Sequence, residues 1–256
     1  MSLFEIIILS IIQGITEFLP VSSSGHLVIA ERLFGLVNAE SNLLMTIMLH
    51  LSSLIAIFIF FFNDIFRTLF KDFRTLFFVI VGTIPAGLLG YLFAHQIEAL
   101  FSKPLIVGIA LMVTGVYLLI AEWHWKASPK TLDRASLLEV IAVGIAQAFA
   151  IMPGLSRSGL TIATGMLNGW DRHSSIKFSF LLAIPVMLGA AVLKLKDFSK
   201  LSTTIPPIHI LIGFAICLVV SLLSIVLLVR LVRRGHLSYF GFYCLAVGTL
   251  VVIFVR

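Results

Sequence analysis

The 256 residues are 60% hydrophobic and only 12% charged, with a mean hydropathy of +1.13, too little charge to cover the surface of a water-soluble domain of this size. The net charge of +6 does not mark a nucleic-acid binder, because the cations fall in short segments between apolar runs, as positive-inside topology places them. Cys217 and Cys244 both lie within apolar runs and suggest neither a disulfide framework nor a metal cluster. No cleavable leader is expected, since Glu5 stands where a positive region would precede the apolar run.

In chain order, residues 2–35 read as a helical stretch broken in its middle by Phe-Leu-Pro-Val-Ser-Ser-Ser-Gly-His. Three runs long enough to span a bilayer follow, at about 41–62, 75–94 and 104–121. Residues 136–169 form a second broken stretch, interrupted by Met-Pro-Gly-Leu-Ser-Arg-Ser-Gly, and three more spans follow at about 175–194, 208–229 and 238–255. Each half of a broken stretch is too short to cross, and irregular backbone at membrane depth survives only inside protein or beside a wet cavity. The expectation is an all-α polytopic membrane protein with six transmembrane helices and two re-entrant helical hairpins. If each hairpin enters and leaves on one face, segments 63–74, 122–135, 168–177 and 230–237 share a side with eleven Lys and Arg residues. The other side has six, Arg32, Lys103, Lys194, Lys196, Lys200 and Arg256, so the richer side is expected to be cytoplasmic.

A shift of 134 residues aligns 2–35 with 136–169 without a gap, matching eleven of 34 positions, among them Glu5/Glu139, Gln13/Gln147, Ser22/Ser156, Ser24/Ser158 and Gly25/Gly159. Each copy precedes three spans, an odd number, so the second must enter from the opposite face: an inverted-topology repeat within one membrane domain (1–256), the halves covering about 1–121 and 136–256. Ser2-x-x-Glu5 and Ser136-x-x-Glu139 read as capping boxes, which makes those glutamates helix-start residues.

The copies differ where chemistry is expected. Glu17 aligns with Ile151, Ser23 with Arg157 and His26 with Leu160. If the two tips meet, a carboxylate, a hydroxyl, an imidazole and a guanidinium converge. An arginine at membrane depth costs about 2.5–3.5 kcal/mol on insertion scales and needs an anionic partner; its planar fork suits phosphate. Ser156 and Ser158 add hydroxyls beside it, Gly154 and Gly159 let backbone N–H groups approach an anion, and Ser22, Ser24 and Gly25 repeat the cradle in the first hairpin. Half-helices are expected to begin near Ser22 and Ser158. Two facing cradles suit a pyrophosphate. Ser23 becomes a nucleophile only when a base takes its proton, and His26 and Glu17 are both candidates. Gln13, one turn before Glu17, orients a partner, holds water or helps ligate a divalent ion. Ser10 and Ser52 are expected to bond their own helix backbone, and His50, in Met-Leu-His-Leu-Ser-Ser, reads as a packing or polar-contact residue without a direct role.

Residues 13–26, Gln-Gly-Ile-Thr-Glu-Phe-Leu-Pro-Val-Ser-Ser-Ser-Gly-His, resemble the first signature of the undecaprenyl-pyrophosphate phosphatases of the bacitracin-resistance type. Residues 153–159, Pro-Gly-Leu-Ser-Arg-Ser-Gly, resemble the second, and Gly82-Thr83-Ile84-Pro85-Ala86 adds to a likeness that covers essentially the whole chain. The resemblance implies hydrolysis of undecaprenyl pyrophosphate to undecaprenyl phosphate, which recycles the carrier lipid for peptidoglycan. It implies Ser23 as nucleophile, Glu17 and His26 as acid/base and orienting residues, and Arg157 as the phosphate clamp. It further implies a bacterial cytoplasmic (inner) membrane location, with a site opening to the outer side, and Mg²⁺ or Ca²⁺ bridging Glu17 and the phosphates. The neutral Gln13 weakens any two-carboxylate metal site; no organic cofactor is expected. A lipid-phosphate transporter of inverted-repeat type is the rival function. Oligomeric state stays open, a homodimer included, because the sequence offers no extended small-residue stripe for a dimer face.

Overall fold

The computed structural model describes residues 1–36, 39–126, 130–195 and 205–255. Lys196, Lys200 and Arg256, counted above on the cation-poor side, lie outside the described residues, as does the side chain of Lys194. Twelve α-helices run through the described residues: α1 Leu3–Thr16, α2 Ser23–Leu33, α3 Ala39–Phe60, α4 Phe62–Phe70, α5 Phe73–Leu92, α6 Ala94–Phe101, α7 Pro104–His124, α8 Leu137–Phe149, α9 Arg157–Leu167, α10 Arg172–Leu195, α11 Pro207–Arg233 and α12 Leu237–Phe254. Helix is what an apolar medium demands, because it satisfies backbone hydrogen bonds within one segment. α5, α7, α10, α11 and α12 are each long and apolar enough to cross a membrane. The protein is thus a multi-pass membrane protein with five such helices, or six if α3 and α4 form one span.

That sixth span departs from expectation. The run read as 41–62 ends at Phe60, and the chain bends by 77° into α4, where a loop was expected. The bend follows from the side chains of α4. Phe62, Phe66 and Phe70 stack along one exposed face, whereas Asp64 pairs with Lys177 at 2.7 Å. An amphipathic turn of this kind lies along a boundary better than across an apolar layer. The short helix α6 was not expected either.

The broken stretches are broken where the sequence placed them. α1 ends at Thr16 and α2 starts at Ser23; α8 ends at Phe149 and α9 starts at Arg157. Both expected capping boxes form, at Ser2/Glu5 and at Ser136/Glu139. At about 1.5 Å per residue, α1 and α8 each reach roughly 20 Å, short of an apolar core about 30 Å thick.

The four segments expected to share a side are tied to one another. Besides Asp64–Lys177, Arg74 donates to the Ala135 carbonyl at 2.8 Å, and Arg172 binds Glu122 at 2.6 Å and the Val232 carbonyl at 2.7 Å. The Leu237 N–H closes the ring on Glu122 at 3.2 Å. α5 begins at this face and α11 ends there.

Glycines set the closest helix contacts. α7 and α12 run antiparallel with backbone against backbone: a Cβ at Gly248 would lie 2.6 Å from the Gly108 carbonyl oxygen, and one at Gly115 would lie 2.7 Å from that of Gly241. α8 lies on α5 the same way, with Gly144 against the Gly82 carbonyl. α1 lies along α11, Gly14 beside Val220 and Ser10 beside Gly213, so both helices start from the same end. The small residues therefore serve contacts within the chain.

Gly248→Val is expected to lower the unfolding midpoint in detergent, at a cost of about 1–3 kcal/mol for overpacking. Gly87→Ala, where an added Cβ meets nothing within 4 Å, should leave stability equal or raise it slightly. Equal midpoints for wild type and Gly248→Val would refute the backbone-contact account.

Candidate active site

Two helix N-termini meet at the centre of the protein. In the first turn, Ser22 caps α2 by accepting from the Gly25 N–H at 3.2 Å; in the second, Ser156 caps α9 by accepting from the Gly159 N–H at 3.1 Å. The caps are equivalent in the two stretches, and α2 and α9 begin at Ser23 and Arg157, each within one residue of the position expected. Each capping hydroxyl also lies 3.3 Å from the hydroxyl of the serine two residues on, Ser24 or Ser158. The turns touch directly. Ser158 Oγ donates to the Leu19 carbonyl at 3.3 Å, and a Cβ at Gly25 would meet the Gly154 Cα at 3.2 Å. Helical geometry leaves the first N–H groups of α2 and α9 without intrahelical partners, so the junction gathers positive dipole ends. Ser22, at φ 68°, holds a left-handed backbone that a non-glycine residue adopts only at a cost of about 1–3 kcal/mol.

Glu17, one residue beyond α1 and only 7% exposed, organises the site. Its Oε2 accepts from Ser23 Oγ at 2.6 Å and from Gln13 Nε2 at 3.0 Å. Its Oε1 accepts from Arg157 Nη2 of the other copy. The hydroxyl, the carboxylate and the guanidinium expected to converge therefore do so, with one carboxylate between the other two. Gln13 Oε1 is buried without a partner.

His26 departs from expectation. It shares the first turn of α2 with Ser23, but both ring nitrogens are engaged elsewhere. Nδ1 lies 2.8 Å from the Ser22 carbonyl, which only accepts, so Nδ1 carries the proton. Nε2 then accepts from the Tyr243 hydroxyl at 2.8 Å, and the two rings stack 5.6 Å apart. The group bonded to Ser23 is Glu17. Gly154 also has a different place. With φ 94° it forms the turn, and its Cα packs against α7, where a Cβ would lie 2.4 Å from the Val107 carbonyl oxygen. Ser156 is fixed from both sides, since its N–H donates to Thr114 Oγ1 at 3.1 Å. Ser52 bonds the Phe214 carbonyl of α11, whereas Ser10 bonds its own helix at Ile6, as expected.

One residue of the site was missed. His50 of α3 points Nε2 at Glu17 Oε2 from 3.8 Å. A titratable ring in the middle of an apolar helix is the signal that could have found it.

The donor set does not suit a resident cation. Both oxygens of Glu17 are occupied by donors, one of them a guanidinium, and among the described residues no group of three or more His, Cys, Asp or Glu residues gathers around a point. A divalent ion prefers several free oxygens.

Residues 6–250 match the family described as bacitracin resistance protein BacA. The chain belongs to this family. Among curated relatives, the undecaprenyl-diphosphatase of Carboxydothermus hydrogenoformans is 38% identical, the match covering 99% of this chain and 97% of that one. The proteins of the same name from Methanobrevibacter smithii and Rhodopirellula baltica are each 41% identical, over 98% of this chain and 97% of theirs. Similarity therefore runs through both turns and every helix of this BacA-family protein.

Glu17→Gln keeps the shape but leaves the Arg157 charge unpaired, and is expected to cost about 3–5 kcal/mol of stability. Adding Arg157→Met should recover much of that loss. Thermal melts of both single variants and the double would give a non-additive cycle; additive losses would mean that the pair does not couple the two turns.

Proposed function

We propose that this protein hydrolyses undecaprenyl pyrophosphate to undecaprenyl phosphate and inorganic phosphate, recycling the carrier lipid of cell-wall synthesis. The observation that carries the mechanism is the 2.6 Å hydrogen bond from Ser23 Oγ to Glu17, whose other oxygen holds Arg157. A nucleophile, its base and a phosphate-binding cation share one carboxylate at the junction of two helix N-termini. The names of the relatives supply the substrate class.

In the reaction, the prenyl chain stays among the apolar helices and the pyrophosphate enters the junction. Arg157 turns from Glu17 to the phosphate oxygens, joined by the unpaired N–H groups that begin α2 and α9. Glu17, released from Arg157, receives the Ser23 proton as Oγ attacks the terminal phosphorus. The bond to the bridging oxygen breaks, and its electron pair leaves with the lipid phosphate. Water then hydrolyses the phosphoserine. Gln13 holds Glu17 in place, Ser22, Ser156, Ser158 and Gly159 hold the turns, and Ser24 faces the substrate. His26 borders the site with its ring nitrogens held by the Ser22 carbonyl and the Tyr243 hydroxyl.

We further infer that the two broken stretches are re-entrant hairpins of an inverted repeat in a single domain. Three observations support this arrangement. The end of the second stretch returns to its own start, Trp170 Nε1 donating to Glu139 at 2.9 Å. The first closes likewise, Leu36 and Met1 packing in one cluster with Ile6 and Leu9. α1 starts beside the start of α11 and α8 beside the start of α5, and the cation-rich face lies at the end of α11 but at the start of α5. The stretches then enter from opposite faces. The cation-rich face is assigned to the cytoplasm of a bacterial inner membrane, with the substrate reaching the site from the outer side.

Purified protein in detergent should release inorganic phosphate from a pyrophosphorylated prenol. Ser23→Ala should lower that rate at least about 10³-fold, and Arg157→Ala about 10²–10³-fold, as loss of a preplaced charge-stabilising donor does. Full activity in folded Ser23→Ala would remove the serine mechanism. No release by wild type, with lipid phosphate moving across vesicles, would favour the transporter.

A further inference from the structure

In the first half-reaction as proposed, the lipid phosphate leaves without taking a proton, so Glu17 is still in its acid form when water attacks the phosphoserine, and a second proton acceptor completes the cycle. In the first half-reaction Glu17 takes the Ser23 proton. In the second, a water O–P bond forms, the Oγ–P bond breaks, and Oγ must leave with a proton. Glu17 already holds that proton and returns it. The proton lost by the attacking water needs a different base, because Glu17 is in its acid form at that moment.

Few groups around Glu17 can take it. Arg157 is a permanent cation, and the Gln13 amide is not a base. His26 presents its one lone pair to the Tyr243 hydroxyl. His50 is arranged otherwise. Its Nδ1 lies 2.8 Å from the Thr46 carbonyl one turn earlier on α3, so that nitrogen carries the proton and the lone pair is on Nε2. Nε2 faces Glu17 Oε2 from 3.8 Å, beyond hydrogen-bond distance, so the lone pair is not spent on the carboxylate. The side chain of His50 is 37% exposed whereas that of Glu17 is 5% exposed, which gives water an approach from the imidazole side. An imidazole is suited to general-base work near neutral pH.

We propose that His50 is the general base of the second half-reaction: Nε2 accepts a proton from the water that attacks phosphoserine 23, while Glu17 returns its proton to the departing Ser23 Oγ. The charge balance closes when His50 releases its proton to solvent along with the phosphate. The assignment rests on the covalent Ser23 mechanism proposed above and adds to it a residue that takes no part in the first step.

Rapid-quench kinetics of His50→Gln and His50→Ala with a pyrophosphorylated prenol test the assignment. Both variants should release about one equivalent of lipid phosphate per protein in a burst, then turn over about 10²–10⁴-fold more slowly than wild type. An acid-stable phosphate on Ser23 should accumulate meanwhile. Free imidazole should speed the slow phase of His50→Gly. The burst itself shows that the variant is folded and competent for the first step. Wild-type turnover in His50→Gln, or slow turnover without phosphoserine, would overturn the role of His50. Full activity in Ser23→Ala would instead overturn the covalent mechanism, so the two failures are distinguishable.

Discussion

A half-buried guanidinium among apolar helices demands a counter-charge, and in this protein the demand is met across 140 residues of sequence by Glu17. The pair does more than neutralise. Each partner sits at the end of an interrupted helix, where backbone groups have lost their regular hydrogen bonds. Drawing the two ends together lets them satisfy one another, as Ser158 Oγ does for the Leu19 carbonyl. It also brings Gly25 within reach of the Gly154 backbone. The close helix contacts at Gly108/Gly248 and Gly82/Gly144 support the junction from outside it, but they would fit many pairs of apolar helices. The ion pair fits one register.

The same pair explains how a closed polar cluster is able to open for a ligand. A phosphate offers Arg157 more acceptor oxygens than Glu17 does, in a geometry its planar fork matches. Exchange of one anion for another keeps the guanidinium paired throughout. It also frees the carboxylate beside Ser23 when phosphate has arrived and not before. In the proposed reaction, binding and base activation are one event, and the resting protein keeps its nucleophile protonated by keeping its base occupied. That arrangement suits a site beside lipid, where an unpaired carboxylate would be costly in every idle moment.

Much of this was legible in the sequence because it depends on local rules. The breaks at 18–26 and 152–159 announced half-helices beginning near Ser22 and Ser158, and Ser-x-x-Glu at 2–5 and 136–139 announced helix starts; each formed. The polar departures from the sequence alignment of the two stretches, Glu17, Ser23 and Arg157, pointed to the junction, where the three side chains meet. What depended on distant partners was not legible. The ring of His26 is turned by Tyr243, 217 residues away on α12, and no local pattern announces that contact. His50 read as packing or a polar contact because its immediate neighbours are apolar, and its place beside Glu17 follows from where α3 crosses the end of α1. The bend after Phe60 was hidden for a related reason: the phenylalanine run continues through it, and only the helical spacing of Phe62, Phe66 and Phe70 marks the change of direction.

Two similar but unequal turns also answer a problem that a pair of identical turns would face. Two copies each bearing a glutamate would place two carboxylates at one junction, repelling each other and any phosphate. Two copies each bearing an arginine would bury two cations with no partner until substrate arrived. Placing Glu17 opposite Ile151 and Ser23 opposite Arg157 gives one charge of each sign, which is neutral at rest and divisible on binding. The hydroxyl then lies on the same turn as the carboxylate that accepts from it, and the cation approaches from the opposite turn, on the far side of the shared oxygens. A phosphorus atom entering between them meets its nucleophile on one side and its charge stabilisation on the other, an orientation that no pair of identical turns related by symmetry could provide.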